Sequence, residues 1–299
     1  MSDDTTTPLS LTKPDLMTRV KHASEKLPMR LFLLIVVAIW TMPTLGLLVS
    51  SFRGQSAIAN SGWWTALGSI TDWGQWTLQN YQRVAFADGM IGAFLNSLLV
   101  TLPATVIPIT IAAFMAYGIA WMTFPGRRVL FVLVVGLLVV PLQTAFIPVL
   151  RVYTSLELNG TFIGMWLAHT GFGLPLATYI LYGYISAIPK SIIESAYADG
   201  AKPWMLFTRL VLPLSVPAIA SFAIFQFLWV WNDLLVALVF LGTQTPIVTT
   251  KLAELVGSRG QDWHVLTAGA FLTMIMPLIV FFSLQRYFVR GMMAGSVKG

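Results

Sequence analysis

The stretch Ile188-Pro-Lys-Ser-Ile-Ile-Glu-Ser-Ala-Tyr-Ala-Asp-Gly-Ala-Lys-Pro-Trp-Met-Leu-Phe-Thr-Arg-Leu-Val-Leu-Pro213 decides how the rest of the chain is read. Ser191 precedes Glu194 by three residues, a capping-box spacing that predicts a helix beginning at Ser191. Asp199-Gly200 closes that helix, because glycine takes the positive φ that a helix C-terminus commonly needs. Pro203 then suits the first turn of a second helix, running to about Leu210. The product is two short helices joined at a glycine. Ile192, Ile193, Tyr197, Trp204, Met205 and Phe207 cannot all face lipid from two crossed short helices. An apolar patch of that size outside a membrane marks a protein partner.

Working outward, long apolar runs lie on both sides of this stretch. The chain of 299 residues is 57% hydrophobic and 10% charged, against roughly 25% charged residues in soluble domains. A membrane span needs about 20 predominantly apolar residues. Runs at about 31–52, 91–121, 129–150, 162–185, 214–241 and 265–284 meet that need, so six transmembrane helices are expected. Pro103 and Pro108 lie inside the second run, where tilt or a kink is expected. Residues 1–30 are polar and read as a tail rather than a signal peptide, since the apolar run that follows is too long and has no cleavage site. Trp63, Trp64, Trp73 and Trp76 in the 53–90 loop suit a membrane interface.

Basic residues orient the spans. With the N-terminus inside, five Lys/Arg precede Leu31, two form the Arg127-Arg128 turn, three lie in the 186–213 loop and three follow Leu284. Only Arg53, Arg83, Arg151, Lys251 and Arg259 fall on the other side. This bias places both termini and the 186–213 loop in the cytoplasm. The net charge of +6 is scattered between apolar runs and forms no nucleic-acid patch.

Several chemistries are excluded. There is no cysteine, so there is no disulfide, thiolate metal site or thiol nucleophile. The three histidines, His22, His169 and His264, are far apart. No G-x-x-x-x-G-K-[ST] loop is present, so this chain is not expected to bind ATP through a P-loop. No catalytic cluster emerges, and no residue is assigned to catalysis or to a metal.

The 188–213 stretch resembles the EAA motif of ABC importer membrane subunits, written E-A-A, three residues, G, nine residues, I, one residue, L-P. Glu194, Ser195, Ala196, Gly200, Leu210, Leu212 and Pro213 stand at that spacing, with Ser195 in place of alanine and Leu210 in place of isoleucine. The tail Gln285-Arg-Tyr-Phe-Val-Arg-Gly-Met-Met-Ala-Gly-Ser-Val-Lys-Gly299 is similar to that of the smaller membrane subunit of maltose-class importers. So are Phe94-Leu-Asn-Ser-Leu98 and Trp231-Asn-Asp233. Ser61-Gly-Trp-Trp64 looks most like permeases for α-glucosides.

The resemblance implies an all-α membrane protein with a type I ABC importer membrane domain over 31–284, flanked by cytoplasmic tails 1–30 and 285–299. It implies residence in a bacterial inner membrane as a permease for sugar. The partners implied are a homologous second membrane subunit, two ATPase subunits that bind ATP and Mg, and an extracytoplasmic sugar-binding protein. Glu194, Ser195, Ala196, Asp199, Gly200, Leu210, Leu212 and Pro213 would then form the ATPase-coupling loop. Gly291, Gly295 and Lys298 belong to an ATPase-contacting tail, in which Gly291-x-x-x-Gly295 is read as flexibility rather than a helix-dimer motif. The tip Gly257, Ser258, Arg259 and Gly260 would meet the binding protein. Asn232 and Asp233 are candidates for the translocation path, because a charge near the bilayer centre costs about 2.5–3.5 kcal/mol and must face protein or water. His169 is read as a packing residue, and Asn159-Gly-Thr161 as a turn rather than a glycosylation acceptor. An ion-coupled secondary transporter is the competing reading; it would place ionisable residues at the midplane, and only Asp233 qualifies.

Overall fold

A computed structural model of the chain describes residues 27–256 and 262–296, with side chains described up to residue 286. Among these residues the structure is helical, apart from one isolated bridge between Arg53 and Trp76. The principal helices are α1 (Leu27–Ser51), α2 (Met90–Trp121), α3 (Arg127–Gly136), α4 (Leu142–Ser155), α5 (Phe162–Ile185), α6 (Lys190–Ala198), α7 (Pro203–Leu206), α8 (Val216–Trp231), α9 (Leu235–Phe240), α10 (Val248–Leu255) and α11 (Trp263–Ser296). Among the described residues three helices are each long and apolar enough to cross a membrane, and three bent pairs bring the number up to six if each pair is one span.

The largest helix pair is α2 against α5. Small residues on α2 make this contact close: Ala104, Ala112, Ala113 and Ala116 are buried in clusters shared with α5. Small side chains let helix backbones approach in lipid, where van der Waals packing replaces hydrophobic driving force. α8 packs on α2, α5 and α11, and α1 lies on α11. Much of α1 stays apolar and exposed, from Phe32 to Leu47, which is the composition a lipid-facing helix requires.

Two spans differ from the straight runs expected. The third breaks into α3 and α4, bent by 106°. Pro141 explains the break, since it has no N–H to donate and disfavours helical geometry in the residue before it. Val140 accordingly adopts φ −75°, ψ 118°, and Pro141 caps α4. The fifth run also divides. A segment from Pro203 to Leu214, passing through a π turn at Phe207–Val211, bends by 69° into α8 at Ser215. It then unwinds at Asn232–Leu234 before α9. In the second span, by contrast, the helix runs unbroken through Pro103 and Pro108.

The 53–90 loop is folded rather than loose. Arg53 is buried, and its guanidinium donates to the carbonyls of Ala57, Ser61 and Gly62 and to Ser61 Oγ at 2.6–3.2 Å. Asn80 Nδ2 donates to the Ser51 and Arg53 carbonyls, both at 2.9 Å. Trp63 packs on Gly46 of α1, where an added Cβ would lie 2.7 Å from its indole nitrogen. Trp64 and Trp73 remain exposed.

Candidate functional site

The segment from Ile188 to Pro213 forms the expected helical corner at the end of the bundle where α2 and α5 finish. α6 starts at Lys190, with Pro189 as N-cap and no side-chain cap. The capping box expected at Ser191 is therefore absent. The extended ψ of Pro189, 132°, starts the helix one residue early, which moves Ser191 inside the first turn. Glu194 then pairs with Lys190 at 2.8 Å, one turn away on the exposed face. The hydrogen bond from Lys190 to Glu194 raises the lysine pKa. Such an exposed helix pair is screened by solvent and contributes little to stability.

The C-terminus of α6 is closed by backbone alone. Gly200 has φ +81°; its N–H donates to the Tyr197 carbonyl, and that of Ala201 to the Ala196 carbonyl, both at 3.0 Å. This is a Schellman closure. Asp199 is the C-cap residue, and Pro203 opens α7. The apolar side chains divide between two faces. Ile193 and Phe207 are buried, with Leu206 and Val211, against Tyr117, Leu181 and Ile185. Burying each such side chain contributes about 1.5–3 kcal/mol, so this face fastens the corner to the bundle. Ala196, Leu210 and Leu212 pack at its margin. Ile192, Tyr197, Met205 and Trp204, the last 66% exposed, form the outer face together with Glu194 and Ser195. The patch is thus smaller than the six residues expected, and two of the six are anchors.

Polar bonds tie the corner to α2. Tyr117 Oη donates to the Pro203 carbonyl at 2.9 Å, and Trp121 Nε1 to that of Ile185 at 3.0 Å. Phe114 stacks on Phe207 and Trp204, with ring centres 4.7 and 5.9 Å apart. Sequence reading missed Phe114, Tyr117 and Trp121. Their partners are 64–93 residues away in the chain, and nothing local distinguishes them from other aromatic residues of an apolar span.

Asn232 and Asp233 sit where the fifth span unwinds. Asn232 bonds back to its own helix, Nδ2 to the Leu228 carbonyl at 2.7 Å. Asp233 caps α9: its carboxylate accepts from Val236 N at 3.3 Å and Ala237 N at 3.0 Å. Its carbonyl accepts from Thr249 Oγ1 at 2.6 Å. The Asp233 side chain is 11% exposed and lies 3.8 Å from Nε2 of His169, which is fully buried. His169 also meets Trp229 edge to face at 5.4 Å. Sequence reading singles out Asp233 but not its capping role, because nothing local in an apolar run marks the break that the carboxylate caps. The turn at Asn159–Thr161 is present: Gly160 has φ +75°, and Thr161 Oγ1 caps α5 through Gly164 N at 3.0 Å.

At the opposite end of the bundle, Asn96 Nδ2 donates to the Pro246 carbonyl and Ser97 Oγ accepts from Val248 N, both at 2.9 Å. These bonds hold the base of the loop that leads to α10. The motif Phe94–Leu98 therefore positions a loop as well as packing a span. The tip residues Gly257, Ser258, Arg259 and Gly260 lie outside the described residues, as does Lys298. Gly291 and Gly295 stand within α11, which continues past Leu284 to Ser296. The tail up to that point is a helical extension of the sixth span, so Gly291 and Gly295 stand in helix where flexibility was expected.

Residues 91–294 match the family model described as binding-protein-dependent transport system inner membrane component. The chain is 60% identical, over 92% of its length and 93% of the relative's, to the osmoprotective compounds uptake permease protein GgtD of Synechocystis. It is 43% identical to the α-glucoside transport system permease protein AglG of Rhizobium meliloti, over 90% and 96% of the two chains. In structure it is similar to a chain of a bacterial ABC transporter that imports alginate, with a TM-score of 0.71 at 17% identity, covering 92% of this chain and 99% of that one. The ion-coupled reading falls away. A helical bundle with a glycine-closed corner, matched by this family over most of its length, makes the chain a transport component rather than an enzyme: it belongs to the inner-membrane permease subunits of binding-protein-dependent ABC importers.

Proposed function

We propose that the chain forms half of the translocation path of an ATP-driven sugar importer. The observation that carries the solute class is the 43% identity with an α-glucoside permease over nine-tenths of both chains. A second reading, uptake of osmoprotective compounds, is favoured by the 60% identity with the Synechocystis permease.

In this reading both termini and the 186–213 loop face the cytoplasm, as the basic residues require. A homologous second membrane subunit completes the path, two ATPase subunits bind ATP and Mg, and an extracytoplasmic binding protein delivers solute. The outer face of the corner, with Glu194, Ser195 and Gly200 at its centre, seats on an ATPase subunit. Ile193 and Phe207 hold it to the bundle, so motion of the ATPase is passed to α2 through Tyr117 and Phe114 instead of being lost in a loose loop. Switching between inward-open and outward-open arrangements is a rigid-body rearrangement of this kind. Asn232 and Asp233 frame the path at the break between α8 and α9. The 257–260 tip meets the binding protein, and the end of α11, with Gly291, Gly295 and Lys298, enters the ATPase layer.

The test is purification of the tagged chain in mild detergent, followed by reconstitution. An ATPase and a second permease should co-purify. Proteoliposomes should accumulate a labelled α-glucoside only with ATP and loaded binding protein. Accumulation of a zwitterionic osmolyte instead would favour the second reading, and uptake without ATP would refute both.

A further inference from the structure

Where α2 ends and α3 begins, a groove of about 390 Å³ opens among Ile119, Arg127, Arg128, Phe131, Val132 and Tyr182. Three features make it unusual. First, it holds two guanidinium groups and no carboxylate. Arg127 Nη1 donates to the Met122 carbonyl at 2.7 Å, which fixes the side chain and leaves most of its N–H groups to spare. Arg128 makes no ion pair or hydrogen bond with any described residue. From residue 89 to residue 156 the sequence contains no Asp or Glu at all, so this part of the chain supplies no counter-charge of its own.

Second, one wall is apolar and rigid: the rings of Phe131 and Tyr182 lie 4.3 Å apart, joining α3 to α5. Third, the groove sits at a membrane boundary. Immediately beyond the arginines, Val132 and Leu133 are 66% and 65% exposed, the surface of a helix that faces lipid. Charge at the mouth and hydrocarbon along the wall is the pattern of an amphiphile with an anionic head.

We propose that this groove binds the phosphate headgroup of an anionic phospholipid, with Arg127 and Arg128 on the phosphate and the Phe131–Tyr182 wall against the acyl chain. Arginine suits the task, since its planar fork pairs two N–H groups with phosphate oxygens and is weakly hydrated. Basic pockets between transmembrane helices at a membrane face recognise such headgroups. The occupied groove would brace the bent α3 against α2 and α5, close to the end of α2 that carries Tyr117 and Trp121. The inference requires only that the chain spans a membrane; it is independent of the solute carried and of the ATPase contact.

The test uses the intact importer complex in nanodiscs of phosphatidylcholine to which phosphatidylglycerol is added stepwise, with retained lipid read by native mass spectrometry. Wild type should retain phosphatidylglycerol in preference to phosphatidylcholine. The double variant Arg127→Gln, Arg128→Gln should need about 30-fold more phosphatidylglycerol for equal retention. Ala120→Leu, which narrows the groove and keeps both charges, should reduce retention as well, and it carries the test if the double variant fails to assemble. Equal retention by wild type and Ala120→Leu, or by wild type and an assembled double variant, overturns the proposal. Displacement of the lipid by glycerol phosphate at the same concentration also overturns it, since the site would then serve a soluble anion.

Discussion

Two interruptions of helix, at Gly200 and at Asp233, are built in opposite ways. At Gly200 the turn is closed by backbone hydrogen bonds, and an added Cβ would meet no atom within 4 Å. No side chain is used up in making the turn, and Ile192, Tyr197 and Trp204 stay exposed, Trp204 with its ring stacked on Phe114. At Asp233 side chains join the backbone bonds in closing the break: the carboxylate accepts from two N–H groups of α9, and the Thr249 hydroxyl donates to the Asp233 carbonyl. The first break presents a surface; the second is part of the internal frame. In a bilayer interior an unsatisfied backbone group costs several kcal/mol, whereas at an aqueous surface water meets the need.

The largest effect should come from the internal break. Asp233→Leu removes both acceptors at the start of α9, and helix caps alone are worth about 0.5–2 kcal/mol. We expect the amount of folded complex to fall at least severalfold, read by size-exclusion profile after solubilisation. Asp233→Asn, which keeps one acceptor oxygen, should lie between. A normal profile for the leucine variant would show that the two breaks do not differ as described.

Next comes Gly200→Val, which forces a β-branched residue to positive φ at a cost of about 1–3 kcal/mol. This variant should insert and fold but lose most uptake, because the angle between α6 and α7 changes. Gly200→Asn, which tolerates left-handed geometry, should keep most of it. Equal loss in both variants would mean that the space around Gly200, rather than its φ, matters to the partner.

A smaller effect is expected from Glu194→Lys. The Lys190 pair it breaks is exposed and screened by solvent, so thermal stability should hardly move. ATPase stimulation by loaded binding protein should nonetheless drop severalfold. Unchanged stimulation would reduce Glu194 to a surface residue. The smallest effect is Tyr117→Phe, which removes one bond to the Pro203 carbonyl and keeps the ring packing. We expect about 1 kcal/mol of stability lost and slightly less uptake per ATP hydrolysed.

How much of this was legible in the sequence follows from the range of the forces involved. The corner was readable because its determinants are local: Gly200, Pro203 and the apolar spacing act within a few residues. The number of apolar spans was readable because length and composition fix it. The start of α6 was misjudged by one residue, since Pro189 competes with Ser191 for the cap position and its fixed φ prevails. The 106° bend between α3 and α4 was missed although Val140-Pro141 signals it, because the run stays predominantly apolar on both sides of the proline. The bonds from Tyr117, Trp121, Asn96 and Ser97 join residues 64–151 positions apart. Only the packed fold brings such groups together.

The central claim, that the outer face of the Gly200 corner seats on the ATPase, has a direct test. The chain contains no cysteine, so Ile192→Cys introduces a single thiol on that face. In membranes holding the assembled importer, a short thiol-to-amine cross-linker should join this cysteine to the ATPase subunit, while an impermeant maleimide added outside intact cells leaves it unlabelled. Labelling from outside, or cross-links to other membrane helices and none to the ATPase, would contradict the account.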